Sequence, residues 1–396
     1  MKILFPLLSL MALSLTMIIP SCNAQPSSPL SGRIETNVDW KPFVYLVKPR
    51  HFNEIAADYL GQVIDSAAIG TDGSFSFQNH IVPDKKMLFI LAVQKKGSRF
   101  ANHLADEIPS EANYMPIVLS KESSMTCKAQ IAQFQQSFSM DHPSYDHQVL
   151  MSLRDARTEA HHRWIQSNSA VPEDDSLIIV KEDLYDQYIG VMRQFADSTN
   201  SLEAALVAIR WASSNGDYER MPEFLHGQCE KWKTLQAEND FVIELCAAAD
   251  KNNLPVMVGD VMPDYTLPLA NGDTVSLRSL IGKRLTVVDV WASWCAPCRK
   301  ENRDILAPLW AAYKDKGLQI IAYSIDSNGG AWKSAITKDG AVWVHASHLT
   351  GDSSPFMEAL RISTIPANFI LDGKGEIIAK NLHGEELENF IKEYLK

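Results

Sequence analysis

Val288-Asp289-Val290-Trp291-Ala292-Ser293-Trp294-Cys295-Ala296-Pro297-Cys298 carries the chain from an apolar run into a polar, helix-forming one. Leu285-Thr286-Val287 extends that run backwards, and apolar continuity without alternation marks a strand covered on both faces. From 298 to 314 the composition is that of a helix. Pro297 suits its first turn, where a missing N–H leaves no bond unmade. Two cysteines with two residues between them therefore stand where a strand gives way to a helix.

Outward from this junction the elements alternate. Leu318-Gln319-Ile320-Ile321-Ala322-Tyr323 is a second strand, with a helix around 332–338. Asn368-Phe369-Ile370-Leu371 and Ile377-Ile378-Ala379 form a hairpin around Asp372-Gly373-Lys374-Gly375, and 385–395 is a closing helix. The order predicts an α/β domain over 256–396, entered through an extended linker at 255–264.

Residues 31–130 read as a β-rich N-terminal domain, a small sandwich or barrel. Phe43-Val44-Tyr45-Leu46-Val47 and Met87-Leu88-Phe89-Ile90-Leu91-Ala92-Val93 are short and rich in β-formers. Asp72-Gly73, between the runs 63–69 and 74–77, predicts a hairpin. Over 141–252 the period becomes helical, through Leu150, Leu153, Ala156, Ala160 and Trp164, then Tyr185, Ile189, Met192 and Phe195. Helices are also expected around 204–211, with Ser201 as N-cap, and 241–249. This is read as a helical connecting domain.

Residues 1–22 have a positive start and an apolar stretch, as in an export signal. Cys22 is the expected lipidation site of a lipoprotein signal; ordinary cleavage and an uncleaved anchor are the other readings. All three place the rest outside the cytoplasm, with an N-terminal membrane association in the first. The chain holds 37 basic against 48 acidic side chains, a net charge of -11, which argues against nucleic acid as a partner.

Of six cysteines, setting Cys22 aside leaves five, so at least one is unpaired. Cys229 and Cys246 read as buried small hydrophobes rather than a bridge. His142, His147 and the pair His161-His162 raise a metal reading, but adjacent helical positions point about 100° apart and no second Cys-x-x-Cys exists. Solvent-facing or cap histidines, and no metal, are expected.

The segment 288–298 resembles the active site of the thioredoxin superfamily, and more narrowly the TlpA/ResA-type envelope thiol-disulfide oxidoreductases. Pro263-Asp264-Tyr265-Thr266-Leu267, Asn271-Gly272 and Gly282-Lys283 fit the extra hairpin of that branch, and Thr364-Ile365-Pro366-Ala367-Asn368-Phe369-Ile370-Leu371-Asp372 fits its cis-proline segment. Ile64-Asp65-Ser66-Ala67 and Asp72-Gly73-Ser74-Phe75 resemble the β-rich domain preceding such domains in some bacterial envelope proteins. The expected fold is thus a thioredoxin-like C-terminal domain preceded by a β-sandwich-like domain and a helical connector.

A cysteine at a helix N-terminus faces unpaired amides and the positive end of the dipole, which favour thiolate. Cys295 is accordingly the attacking thiolate and Cys298 the resolving thiol of a redox-active disulfide. A bridge closing so short a loop removes little chain entropy, so a purely structural purpose is disfavoured. Asp289, buried in its strand, would move protons to and from Cys298. The resemblance supports that role and implies a cis bond at Pro366, with Ile365 main-chain groups free to pair with a substrate strand. Trp294 and Trp291 flank the pair, one as core, the other as partner surface; Trp294 is assigned to substrate binding.

The expected activity is reduction of envelope protein disulfides, without cofactor, recharged by a membrane thiol electron donor. A peroxiredoxin-like peroxidase is the nearest rival, but that family needs Thr or Ser where this chain has Ala292. A partner-binding lipoprotein with a vestigial redox domain is the non-enzymatic alternative.

Overall fold

The structure, a computed structural model, describes residues 30–78, 83–121, 124–170 and 177–396; the expected export signal at 1–22, with Cys22, lies outside the described residues. The chain opens with β1 (Leu30–Glu35), β2 (Trp40–Lys48), β3 (Gln62–Ala68), β4 (Ser74–Ser76), β5 (Met87–Lys95), β6 (Tyr114–Leu119), β7 (Met125–Gln130) and β8 (Ser139–Asp141). They form two four-stranded sheets, ordered β4-β1-β7-β8 and β3-β2-β5-β6. The unbroken apolar run 88–93 of β5 is buried throughout, as expected of a strand paired on both sides.

Asp72-Gly73 does make a turn, with Gly73 at φ 83° and Gly73 N–H donating to the Gly70 carbonyl at 2.9 Å. It does not make the expected hairpin. β3 pairs with β2 and β4 with β1, so the turn passes the chain between sheets. A turn dipeptide fixes a local reversal; which strands then pair is decided by burial of their faces.

The helices that follow are α1 (Phe134–Ser137), α2 (Tyr145–Trp164), α3 (Ile178–Ser198), α4 (Leu202–Ala212), α5 (Pro222–Gln236) and α6 (Asp240–Ala248). Ser201 Oγ accepts from Ala204 N–H at 3.3 Å and caps α4. Strands and helices share one buried cluster, in which Phe89 and Tyr114 join Leu150, Leu206, Trp211 and Trp232. Helix α5 puts Leu225, Cys229 and Trp232 on its buried face, and Pro222 starts it.

Cys229 and Cys246 form a disulfide that ties α5 to α6, which corrects their reading as unpaired hydrophobes. The two helices run side by side and bring the Cα atoms to 4.9 Å, a meeting that sequence spacing alone does not announce. Cys127, buried in β7, is the free thiol among the described cysteines, and burial pushes it up to about 12.

The C-terminal part has its own core. It comprises β9 (Thr266–Pro268), β10 (Thr274–Ser276), α7 (Leu277–Leu280), β11 (Leu285–Trp291), α8 (Ala296–Glu301), α9 (Ala307–Tyr313), β12 (Leu318–Ser324), α10 (Gly329–Asp339), β13 (Val344–Ala346), α11 (Pro355–Leu360), β14 (Ala367–Asp372), β15 (Ile377–Lys380) and α12 (Gly384–Tyr394). A five-stranded sheet is ordered β13-β12-β11-β14-β15, with β11 parallel to β12 and antiparallel to β14. Between α8 and α9 a π turn spans Asn302–Leu306, ahead of Pro308, whose missing N–H cannot return to Asp304.

The extended entering segment is held along its length. Val256 N–H donates to Leu360, Gly259 N–H to Ile377 and Met262 N–H to Gly375, so the chain lies pinned beside β15. Among the described residues no helix is long and apolar enough to cross a membrane.

Candidate active site

β11 is the central strand and is buried at every residue. Its position explains why Asp289, in register with Asn368 on β14 and Ala322 on β12, is only 3% exposed. Burial drives the Asp289 carboxyl well above the ordinary carboxylate range, and the nearby charge of Glu301 pushes the same way. At neutral pH such a group can hold a proton and release it to a neighbour.

Beyond Trp291 the chain turns into α8 with Cys295 as its N-cap. Cys298 N–H donates to Cys295 Sγ at 3.3 Å, and Cys295 and Cys298 are joined as a disulfide. Both residues are buried, whereas Trp294 beside them is 62% exposed. Trp291 is wholly buried against His345, so of the two tryptophans only Trp294 offers a surface. The loop before the pair is anchored by Asp326, which accepts from Ser293 N–H at 2.8 Å and Ser293 Oγ at 2.5 Å.

The Ile365–Pro366 bond is cis. Pro366 immediately precedes Ala367, which pairs in register with Val290, so the proline loop meets the end of β11. Ile365 is half-buried, and Ser363 and Thr364 are exposed. Asp289, Cys295, Cys298, Trp294, Ile365 and Pro366 therefore all stand around the C-terminal end of β11 or on the strand itself. Cys22 falls outside the described residues.

Two acidic residues of this region escaped the sequence reading. Glu301, which follows Arg299-Lys300, turns inward and is 5% exposed. It accepts from Gly384 N–H at 3.0 Å, at the start of α12, and lies 3.1 Å from His383 Nδ1. Arg299 is answered instead by Asp339, with Nη2 to Oδ1 at 2.7 Å, and by the Ser293 carbonyl. The signal for Glu301 was its place one helical turn after Cys298, on the same face. Glu219, from the segment before α5, reaches Ser363 and Thr364; nothing local in the sequence points there.

A central strand ending in a helix-capping Cys-x-x-Cys, with a cis-proline at the start of the neighbouring strand, defines a thioredoxin-fold thiol-disulfide oxidoreductase. Comparison with known proteins agrees. Residues 257–394 match the Redoxin family. The thioredoxin-like protein YneN of Bacillus subtilis is 30% identical over 131 residues, 32% of this chain and 72% of its own. The thiol-disulfide oxidoreductase ResA of Bacillus thuringiensis is 26% identical over 148 residues, 37% of this chain and 81% of its own. A solved thiol-disulfide oxidoreductase from Bacteroides fragilis is 34% identical over 34% of this chain and 98% of its own, with a TM-score of 0.32. The chain belongs, through its C-terminal part, to the thioredoxin-like thiol-disulfide oxidoreductases, with relatives of the ResA type.

Proposed function

We propose that the Cys295–Cys298 pair reduces disulfides in proteins of the bacterial cell envelope. Cys295 Sγ attacks one sulfur of the substrate disulfide, forming a mixed disulfide and releasing the other sulfur as a thiolate that takes a proton. Cys298 then loses its proton, through Asp289, and its sulfur attacks Cys295. The substrate leaves with two thiols, and two cysteine thiols have become one disulfide. A dithiol donor at the membrane restores the pair by the reverse exchange, and no cofactor enters.

The observation that carries this reading is Cys295 capping α8 with Cys298 N–H on its sulfur, in a site that also presents exposed Trp294 and the Ile365–Pro366 loop. Trp294, Ile365 and Pro366 supply the substrate contact, an extended strand meeting Ile365 main-chain groups. The reducing direction is supported by Ala296-Pro297, which places no histidine between the cysteines to stabilise the reduced form, and by Arg299 being committed to Asp339. Residues 256–396 act as the redox unit, held at the membrane through a lipidated Cys22 and the preceding parts, 31–130 and 141–252.

Insulin and dithiothreitol test the reaction. The protein should speed reduction of insulin well beyond dithiothreitol alone; a rate no greater than that of Cys295→Ser overturns the reading. Equilibration of the pair in glutathione and dithiothreitol buffers tests direction. A potential near the oxidant end of the range, roughly -120 mV, would reverse it.

A further inference from the structure

The cis-proline loop is gripped from outside the thioredoxin-like domain. Glu219 Oε2 accepts from Ser363 N–H at 2.9 Å and Ser363 Oγ at 2.5 Å. Glu219 Oε1 accepts from Thr364 N–H at 3.1 Å and Thr364 Oγ1 at 2.8 Å. One carboxylate thus takes four donors from the two residues directly before Ile365–Pro366. Burial by itself would raise the Glu219 carboxyl, but the bonds from Ser363 and Thr364 outweigh it and hold it below the ordinary range.

Glu219 is itself fixed. Its N–H donates to Asp217 Oδ1 at 2.9 Å. Arg210, 3% exposed, binds the Ser213 and Ser214 carbonyls and the Tyr218 hydroxyl on one side, and the Asn53 and Ile55 carbonyls on the other. The guanidinium therefore straps the Glu219 segment to the N-terminal β part. Alongside, Glu223 takes Lys380 Nζ and Val258 N–H, each at 3.0 Å. The cleft left between Glu219, Arg220, Thr364 and Lys380 holds about 10 Å³, room for no more than a water. The seam is tight on this side of Glu219, while on the other a cavity of about 340 Å³ lies between Asn53, Arg210, Tyr218, Leu254 and Arg361. The four bonds to the loop are made beside it, with Glu219 already oriented by its own segment.

We infer that Glu219 is a positioning residue for disulfide exchange, through which the N-terminal part of the chain sets the cis-proline loop for recognition of protein substrates. The inference rests on the proposed reduction of protein disulfides and deepens it. A substrate strand aligned on Ile365 main-chain groups needs that loop at a fixed height, and a loop misplaced by about 1 Å loses much of the rate. A small disulfide needs only access to Cys295 Sγ. The outer face of Ser363 and Thr364 remains exposed, so the grip from Glu219 leaves the approach open.

The test compares two substrates on the full chain: insulin, with dithiothreitol as the dithiol donor, and 5,5′-dithiobis(2-nitrobenzoate), reacted in a single turnover with pre-reduced protein freed of dithiothreitol. Glu219→Ala should lower kcat/KM for insulin about fivefold to twentyfold, mainly through KM, while the small disulfide changes less than about twofold. Glu219→Asp should recover part of the insulin rate. Glu223→Ala, which removes both neighbouring bonds across the same seam without touching the loop, should leave the ratio of the two activities as in the wild type. Equal losses on both substrates in Glu219→Ala, or an unchanged ratio, overturn the inference and leave the proposed function standing. A wild type inactive on both disulfides overturns the proposed function and this inference with it.

Discussion

Cys298 N–H points at Cys295 Sγ from 3.3 Å, so the backbone of one cysteine of the pair serves the sulfur of the other. The donor belongs to the open first turn of α8, where it has no carbonyl to bind. An N–H on a sulfur favours its anionic form, and among the described residues no N–H is directed at Cys298 Sγ.

In the reduced protein, iodoacetamide should therefore modify Cys295 first. Peptide mass spectrometry after a short exposure reads the order. Preferential labelling of Cys298 would remove the assignment of Cys295 as nucleophile.

Asp289→Asn tests the buried carboxyl in two ways. Resolution of a mixed disulfide should slow by about tenfold to a hundredfold, more than its formation, because the proton handled belongs to Cys298. The oxidised variant should also resist unfolding better at neutral and alkaline pH. The folded-state pKa of Asp289 is raised, so its contribution is intact below the ordinary carboxylate range and is lost as pH rises through the raised value. Relief of a buried, unpaired carboxylate is worth about 1 to 3 kcal/mol. Urea unfolding between about pH 4 and about pH 9 would show the wild type and variant diverging upward. Parallel curves would make Asp289 a neutral core residue.

What could be read in advance follows the range of the interactions. β11 announced itself because a strand covered on both faces is apolar nearly throughout, and Asp289 stood out against that background. Cys295, Pro297 and Cys298 declared a helix start because capping is decided within one turn. Pro366 was placed by its likeness to a known segment, not by local chemistry. Glu301 gave no local sign of burial because its partners, His383 and Gly384, lie more than eighty positions away. Glu219 was silent for the same reason, since Ser363 and Thr364 lie more than 140 positions away. Arg210 was silent because its hydrogen-bond partners apart from Tyr218 are backbone carbonyls, which every sequence possesses. The Asp72-Gly73 turn was legible, but its strands part to separate sheets, a choice made by tertiary burial.

The Cys229–Cys246 bridge should stabilise the helical hairpin it closes. It spans 17 residues, for which the chain-entropy estimate is about 3 kcal/mol. It also holds α6, whose Glu244 accepts from Phe52 N–H at 2.5 Å and anchors the helix to the β part. Cys229→Ala with Cys246→Ala should lower the urea midpoint while the Cys295–Cys298 pair stays intact. Equal midpoints would mean that the bridge contributes nothing to the fold.

His147 provides the last test, on the acid side. It is 5% exposed at the start of α2, and its Nε2 accepts from Val118 N–H at 3.1 Å. That acceptance fixes the neutral tautomer with the proton on Nδ1, which can donate to Ser144 Oγ at 2.9 Å. Protonating Nε2 would set two donors against each other in a buried site. Burial accordingly lowers His147 from 6.5 to about 4, with Lys86 pushing the same way and Asp146 opposing. A histidine depressed in the folded state contributes fully above its ordinary pKa, and that contribution fades as pH falls from about 6.5 toward about 4. At about 1.4 kcal/mol per pH unit the loss approaches about 3 kcal/mol. His147→Gln keeps an acceptor for Val118 N–H and cannot take the proton. Its stability should therefore fall less steeply than the wild type's across this window, whatever its value at neutral pH. The same slope in both proteins would show that the histidine opens to water before it titrates, and that the sheet edge at Val118 does not depend on it.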